Sequence, residues 1–579
     1  MPKRRFFVKS LVAVFCLLTV IATSTPSALP AAGTMVIDLE YQRPEIALKY
    51  DEDKNEIVEV YVNNQEVQFD QPAIVKNGRT LVPMRKIFEL LGADVEWDNA
   101  TQTVTAKKKD KVITLIIGNN TAKADGTDVV LEQAPILKND RTLVPLRFMS
   151  EALNAVVYWD DYNRRAAVSE YNSITQNDVF SVKDGKFQLN GKDFAEISFN
   201  MFDLFWCLYD ERVKGNTLDE NNPVVKKYDQ NLKDMRDNGF KTIRIFGIPY
   251  FTHEFYRTVY VNEQKRQDVF YSAVEKAFDL CDKYDIRVVY SIGVTSFNDR
   301  FIENGAWALG EDHLRELVGD PESKAKQRLN GYIDDLVTRY RDRKTIAMWE
   351  LANETTNNAD IAPSTAIYDD QRMPRLNQMA YFWDDCARRI KTADPIRMVN
   401  SGGSHLRESA WNQYTKGTWT PDTWDQHMLA YQFYYEKTAV DIIDFHDYKI
   451  PVGGYVIKQN NGITDLPLTM ESHMEAARLI GKPLMIGEFG ALPEAKGTGN
   501  WKMVEWFEKI EDPASEKWVQ AALDPIIESG CQLAYYWSFN NSHQQQSGVL
   551  DVSIERTPIA FRQIVDANQK LKKKLNILQ

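Results

Sequence analysis

From Phe194 to Phe539 short apolar runs alternate with amphipathic stretches, and few folds accept that pattern eight times over. The runs are "FAEISFN" from Phe194, "KTIRIFG" from Lys241, "IRVVYSIG" from Ile286, "TIAMWELAN" from Thr345, "IRMVNSG" from Ile396, "VDIIDFHDY" from Val440, "PLMIGEFG" from Pro483 and "QLAYYWSF" from Gln532. Each is rich in apolar residues, as a strand buried in a parallel sheet is. Between them the period changes to that of a helix. Val225, Tyr228, Leu232 and Met235 form one stripe, ended by Gly239; Val269, Ala273, Ala277, Leu280 and Tyr284 form another. Eight strands with intervening helices predict a (β/α)8 TIM barrel over residues 194–579. A doubly wound open sheet is the alternative, but its Gly-rich turn after the first strand is missing, because "SFNMFDLFW" stands there.

The 579-residue chain is too long for the barrel alone, so the fold class is multidomain. Lys3, Arg4 and Arg5 precede an apolar run from Leu11 to Ala22, then Ser24, Pro26, Pro30 and the small residues Ala31, Ala32 and Gly33. That run is shorter than the roughly 20 residues of a membrane span. It reads as a cleaved signal peptide over 1–32, implying a secreted protein with no membrane contact after cleavage. A linker (33–57) leads to a duplication over 58–172. "PAIVKNGRTLVPMRKIFELLGADVEWDNATQTVTA" from Pro72 is echoed by "PILKNDRTLVPLRFMSEALNAVVYWDDYNRRAAV" from Pro135; Arg79 and Arg141, Pro83 and Pro145, Trp97 and Trp159 are each 62 residues apart. Each copy reads as strand, turn, "RTLVP" strand, short helix (Ile87, Leu90, Leu91; Met149, Ala152, Leu153) and a strand containing Trp, a small α+β domain. The region resembles the N-terminal domain of some copper amine oxidases, which recurs as a stalk on exported bacterial proteins. All seven histidines lie at or beyond His253, so the duplication has no imidazole for copper. Its role is binding or display, with cell-wall contact as one form, or passive spacing. A linker and hairpin cap follow over 173–193, where Asp184-Gly185 and Asn190-Gly191 are type I′ turn signals.

Polar residues at the C-terminal ends of barrel strands are candidates for chemistry. Those ends carry Arg244 on the second strand, Asn353 and Glu354 on the fourth, His446, Asp447 and Tyr448 on the sixth, Glu488 on the seventh and Trp537 on the eighth. Two carboxylates on different strands suit glycoside cleavage, in which one carboxylic acid protonates the leaving oxygen and one carboxylate attacks or stabilises the anomeric carbon. Asn353-Glu354 could equally cap a helix, and Glu350 reads as structural. Trp206, Trp307, Trp411, Trp419, Trp424, Trp501 and Trp506 fall in segments expected on the same face, where indoles stack on pyranose rings. Long connections at 293–322 and 401–430 are expected to build specificity.

"WELANE" (Trp349–Glu354), "HDY" (His446–Tyr448), "IGEFG" (Ile486–Gly490), "IRIF" (Ile243–Phe246) and "YYWSF" (Tyr535–Phe539) together resemble clan A of the glycoside hydrolases, most closely family 5, which includes cellulases and β-mannanases. The resemblance implies a retaining β-glycosidase with Glu354 as acid/base, Glu488 as nucleophile and Asn353 on the 2-hydroxyl of the attacked sugar. It also implies that Arg244 and Tyr448 hold Glu488 ionised, that His446 lines the site and that Trp537 floors the subsite before the scissile bond. No cofactor or metal is implied, and His446 and Asp447 lack companions at metal-site spacing. The expected partner is a β-linked polysaccharide or oligosaccharide, mannan or glucan. A net charge of -12 argues against nucleic acid. A non-catalytic carbohydrate-binding protein, or an exo-acting or transglycosylating enzyme with the same glutamates, stays open.

Overall fold

The structure, a computed structural model, describes residues 45–248, 264–293, 317–318, 320–354, 376–404, 406, 409–418, 420–447, 466–490, 512–542 and 551–577. The eight expected strands form one parallel sheet: Glu196–Asn200, Thr242–Phe246, Arg287–Ser291, Ile346–Glu350, Met398–Asn400, Ile443–Asp447, Leu484–Phe489 and Leu533–Trp537. The first strand pairs with both the second and the eighth, which curls the sheet round. The ladder runs unbroken from the fifth strand, through the first and eighth, to the sixth. The remaining gap is spanned by the parallel bridge Asn400 to Ile442 and by Asp441 N–H donating to Val399 C=O at 2.8 Å. A near-closed barrel results.

Helices cover the barrel as the sequence period requires. Helix Pro223–Asp237 begins with Pro223 at its first position and with the Asn222 side chain accepting from Val224 and Val225 N–H. It buries Val225, Tyr228, Leu232 and Met235, and ends at Gly239 with φ of 86°. Helix Gln264–Lys283 buries Ala273, Ala277 and Leu280 as expected, plus Phe270; Val269 is only half-buried. Residues 401–430 hold more order than a loop. Helices Ala410–Lys416 and Trp424–Tyr435 lie there, the second capped by Thr423 and Gln426 reciprocally. The hairpin Ser181–Lys183, Lys186–Leu189 and Lys192–Asp193 turns at Asp184-Gly185 and Asn190-Gly191, all four at positive φ. Its Phe187 and Leu189, with Phe180, pack on Ala347, Met485 and Leu533 and plug the N-terminal end of the barrel. Cys207, Cys281, Cys386 and Cys531 are buried and stand outside any disulfide among the described residues.

The duplicated region folds into a separate β-rich domain in which the two "RTLVP" strands, Arg79–Pro83 and Arg141–Pro145, pair antiparallel with Val82 opposite Val144. Val82 and Val144, 62 apart, thus mark a local two-fold between the copies. Helices Met84–Leu90 and Leu146–Ala152 bury Ile87 and Met149, while Leu90 is exposed. This domain is bonded to the barrel's flank. Arg388 on helix Leu376–Ala393 donates to Asp160 at 2.7 Å and to Asp384 at 2.8 Å, with all three side chains buried. Arg341 donates to Asn63 Oδ1 at 2.8 Å, and Tyr171 Oη to Asp394 Oδ1 at 2.7 Å. Asp394 also accepts from Trp349 Nε1 of the fourth barrel strand at 2.8 Å.

Candidate active site

Strand register sets the site before any side chain does. Asn200 lies opposite Arg244 and Trp537, Glu350 opposite Asn400, and His446 opposite Glu488. The last pairing follows a register shift between Phe445 and His446, a bulge of the kind that re-aims side chains beside active sites. Gly487 makes it possible. A Cβ there would stand 2.7 Å from His446 Nε2 and 2.8 Å from Asp444 Oδ2.

Arg244 is the hub. Fully buried, it donates through Nε and Nη2 to Glu350 (3.0 and 2.7 Å), through Nη1 to Glu488 Oε1 (2.8 Å) and Asn200 Oδ1 (2.9 Å), and through Nη2 to Asn353 Oδ1 (2.6 Å). Burial alone would depress its pKa; the charges of Glu350 and Glu488 outweigh that and hold the guanidinium well above its ordinary value. Glu350, read from sequence as structural, is its bidentate partner. One cation cannot neutralise three buried carboxylates, and the third yields. Asp444, which accepts from Gly487 N–H at 2.8 Å and Asn400 Nδ2 at 2.7 Å, has its pKa pushed far above the carboxylate range, by burial first and by Glu350's charge second. Asn200, Asn400 and Asp444 were missing from the sequence candidates. Their signal was available: Asn200 and Asn400 are the last residues of their strands, where the other candidates also lie, and Asp444 precedes His446 by two positions.

Glu354 sits apart from the hub. It lies beyond the end of the fourth strand at φ of 54°, its N–H donating to Gly402 C=O at 2.7 Å, and its side chain is 20 % exposed. Gly402, at φ of 66°, passes so close that a Cβ would overlap Ala352 O. His446 Nδ1 is 3.0 Å from Glu354 Oε1 and 3.5 Å from Glu488 Oε2. One donor atom from each of Glu354, His446 and Glu488 lies within 4.8 Å of the others. Three such donors could hold a cation, a grouping the sequence spacing did not reveal. Arg244 already faces Glu488, however, and satisfies part of its charge. The next described helix begins at Leu376.

Trp537 stacks on Phe202 with ring centroids 4.4 Å apart and planes 12° apart, and is 6 % exposed. Tyr448 lies outside the described residues, as do Trp307, Trp419, Trp501 and Trp506. Trp206 departs from the expected exposed platform: it is buried in helix Leu204–Val213. Trp411 is half-buried, and half-buried Trp424 donates to Glu475 at 3.0 Å.

Known proteins resemble the chain in both of its regions. The profile of the copper amine oxidase N-terminal domain matches residues 61–168. A probable mannan endo-1,4-beta-mannosidase C of Aspergillus terreus is 29% identical over 205 residues, covering 32% of this chain and 46% of that protein. Mannan endo-1,4-beta-mannosidase 1 of Solanum lycopersicum is 24% identical over 377 residues, 61% of this chain and 82% of that protein. The chain thus spans less than half of the first relative's length and most of the second's. The crystal structure of a glycoside hydrolase family 5 mannosidase from Rhizomucor miehei superposes with a TM-score of 0.50 at 14% identity, covering 70% of this chain and all of that one, and shares the fold. The profile described as cellulase (glycosyl hydrolase family 5) matches residues 209–543, more than half of the chain, and the protein belongs to that family.

Proposed function

We propose that this protein is a secreted, retaining β-glycosidase that cleaves a β-linked polysaccharide by double displacement. The observation that carries the reading is the approach of a Glu354 oxygen to within 4.8 Å of a Glu488 oxygen. Retaining enzymes hold their two carboxyl groups about 5–5.5 Å apart, whereas inverting ones need roughly 6.5–9.5 Å to admit a water between them. Glu488, held by Arg244, attacks the anomeric carbon as a carboxylate while Glu354 protonates the departing glycosidic oxygen. The covalent glycosyl-enzyme forms and the aglycone leaves. Glu354 then takes a proton from water, which attacks the same carbon and releases Glu488. Asn353, oriented by Arg244, contacts the 2-hydroxyl; His446, between the two glutamates, lines the site; Tyr448 assists Arg244; and Trp537 floors the subsite before the scissile bond.

β-1,4-Mannan is the favoured substrate because the names of the relatives point to it, with β-glucan as the second. The export reading rests on the basic, apolar and small-residue order of the first 33 positions. Purified protein is tested against β-mannans, β-glucans and xylans while NMR follows the newly released anomer. Release of sugar with the β configuration first is expected. Initial α product from any β-linked substrate would show inversion and remove the nucleophile role from Glu488.

A further inference from the structure

The 62-residue duplication builds two grooves that are copies of each other. One, about 830 Å³, lies between helix Met84–Leu90, strand Asp94–Asp98 and the second copy's turn at Asp140-Arg141. The other, about 440 Å³, lies between helix Leu146–Ala152, strand Ala155–Asp160 and the first copy's turn at Gly78-Arg79. Of the 17 residues lining the larger groove, all but Asn99 have their counterpart 62 positions away lining the smaller. The local two-fold between the "RTLVP" strands is the reason, since each groove takes its helix from one copy and its turn from the other.

The copies differ where a ligand would lie. Trp97 is 36 % exposed on an edge strand, whereas Trp159 is half-buried, packs against the domain core and carries the Arg164 guanidinium 5.1 Å over its ring. Phe148 also stands where the larger groove has Lys86. One indole is therefore covered by a guanidinium from within the chain, while the other, more exposed, lines the larger groove.

We infer that the Trp97 groove is a glycan-binding site, distinct from the barrel site, that holds the same neutral β-linked polysaccharide; this choice of ligand rests on the function proposed above. A pyranose ring stacks its C–H face on the indole while its hydroxyls meet amides and charged groups at the rim, among them Gln68, Gln102 and Asp70. Lining charges cancel, with Arg85, Lys86 and Arg141 against Asp70, Glu89 and Asp140, which suits an uncharged ligand. The volume lies in the ordinary range of ligand pockets, about 300–1,000 Å³. The second groove keeps the frame without the exposed platform.

The test is adsorption of the full-length protein, wild type and variants, to insoluble β-mannan and β-glucan, with melting curves confirming the fold. Trp97→Ala is expected to lower the partition constant about tenfold, Trp97→Phe to restore most of it, and Trp159→Ala to change it less than about twofold per folded molecule. Trp97→Ala adsorbing like wild type, or Trp159→Ala losing as much, overturns the inference. Hydrolysis separates it from the function reading. A wild type that cleaves the panel while Trp97→Ala adsorbs normally rejects the groove alone; Trp97-dependent adsorption without cleavage supports the groove and rejects the enzyme. A wild type that neither adsorbs nor cleaves rejects both.

Discussion

Glu354 and Glu488 occupy different electrostatic settings, and substitution should separate them. Glu488→Ala is expected to lower hydrolysis by about 10⁴-fold or more, with azide or formate restoring turnover to the inverted product from the vacated nucleophile position. Glu354→Ala should cost roughly 10²–10⁴-fold on polysaccharide, where the leaving oxygen needs a proton. It should cost far less on a dinitrophenyl glycoside, and azide should there give the retained glycosyl azide; identical behaviour of the two variants would return Glu354 to a structural role. One acid and one base imply a bell-shaped pH profile of kcat/KM. Glu350 and Asp444 make a second contrast at this scale. Glu350→Gln breaks the bidentate pair with Arg244 and should destabilise by about 3–5 kcal/mol in denaturant titration. Asp444 keeps its proton in the folded state above pH ~4, where the unfolded chain has lost it, so its contribution to stability falls as pH rises, by at most about 1.4 kcal/mol per unit. Asp444→Asn should flatten that slope, and an unchanged slope would show Asp444 ionised.

At the scale of elements, glycines and register carry the geometry. Gly487→Ala places a methyl against His446 and Asp444, which should displace the imidazole between the two glutamates and lower kcat about 100-fold. Gly331, exposed inside helix Lys324–Tyr340 with nothing near its Cβ position, is the control: Gly331→Ala should raise stability by about 0.5–1 kcal/mol in thermal melts and leave kcat alone. Strand content was legible because each barrel strand is a short apolar-rich run between stretches of helical period, and eight such runs leave few topologies. Helix boundaries were legible where a stop signal announced them, as at Gly239. The helices of 410–435 were read as loop because Gly417, Thr418 and Pro421 interrupt the period there.

For the whole molecule, the stalk alone suggests a barrel fragment starting near Ser173 that needs nothing upstream. The structure adds a cost. Such a fragment loses Asp160 from Arg388, Asn63 from Arg341 and Tyr171 from Asp394, and a buried cation stripped of a partner is expensive. It should melt several degrees below the full chain, yet retain turnover per folded molecule on soluble oligosaccharides, since no upstream residue is among those of the described site. Equal melting temperatures would show the interface to be energetically neutral, and loss of turnover in folded fragment would place the N-terminal domain in catalysis.

The sequence by itself determined the strands, the repeat, its offset and the residue types at the strand ends, because those follow from local periodicity and from where a barrel must place its chemistry. It also carried the family resemblance in motifs read along the chain. Only the tertiary structure decided what surrounds each group: that Arg244 spans Glu350, Asn353 and Glu488, that burial raises the pKa of Asp444, that Trp206 is core while Trp97 is exposed, and that two copies of a repeat make two unequal grooves. Burial and charge pairing depend on residues 44 to 244 positions apart, and no local pattern records which of them meet.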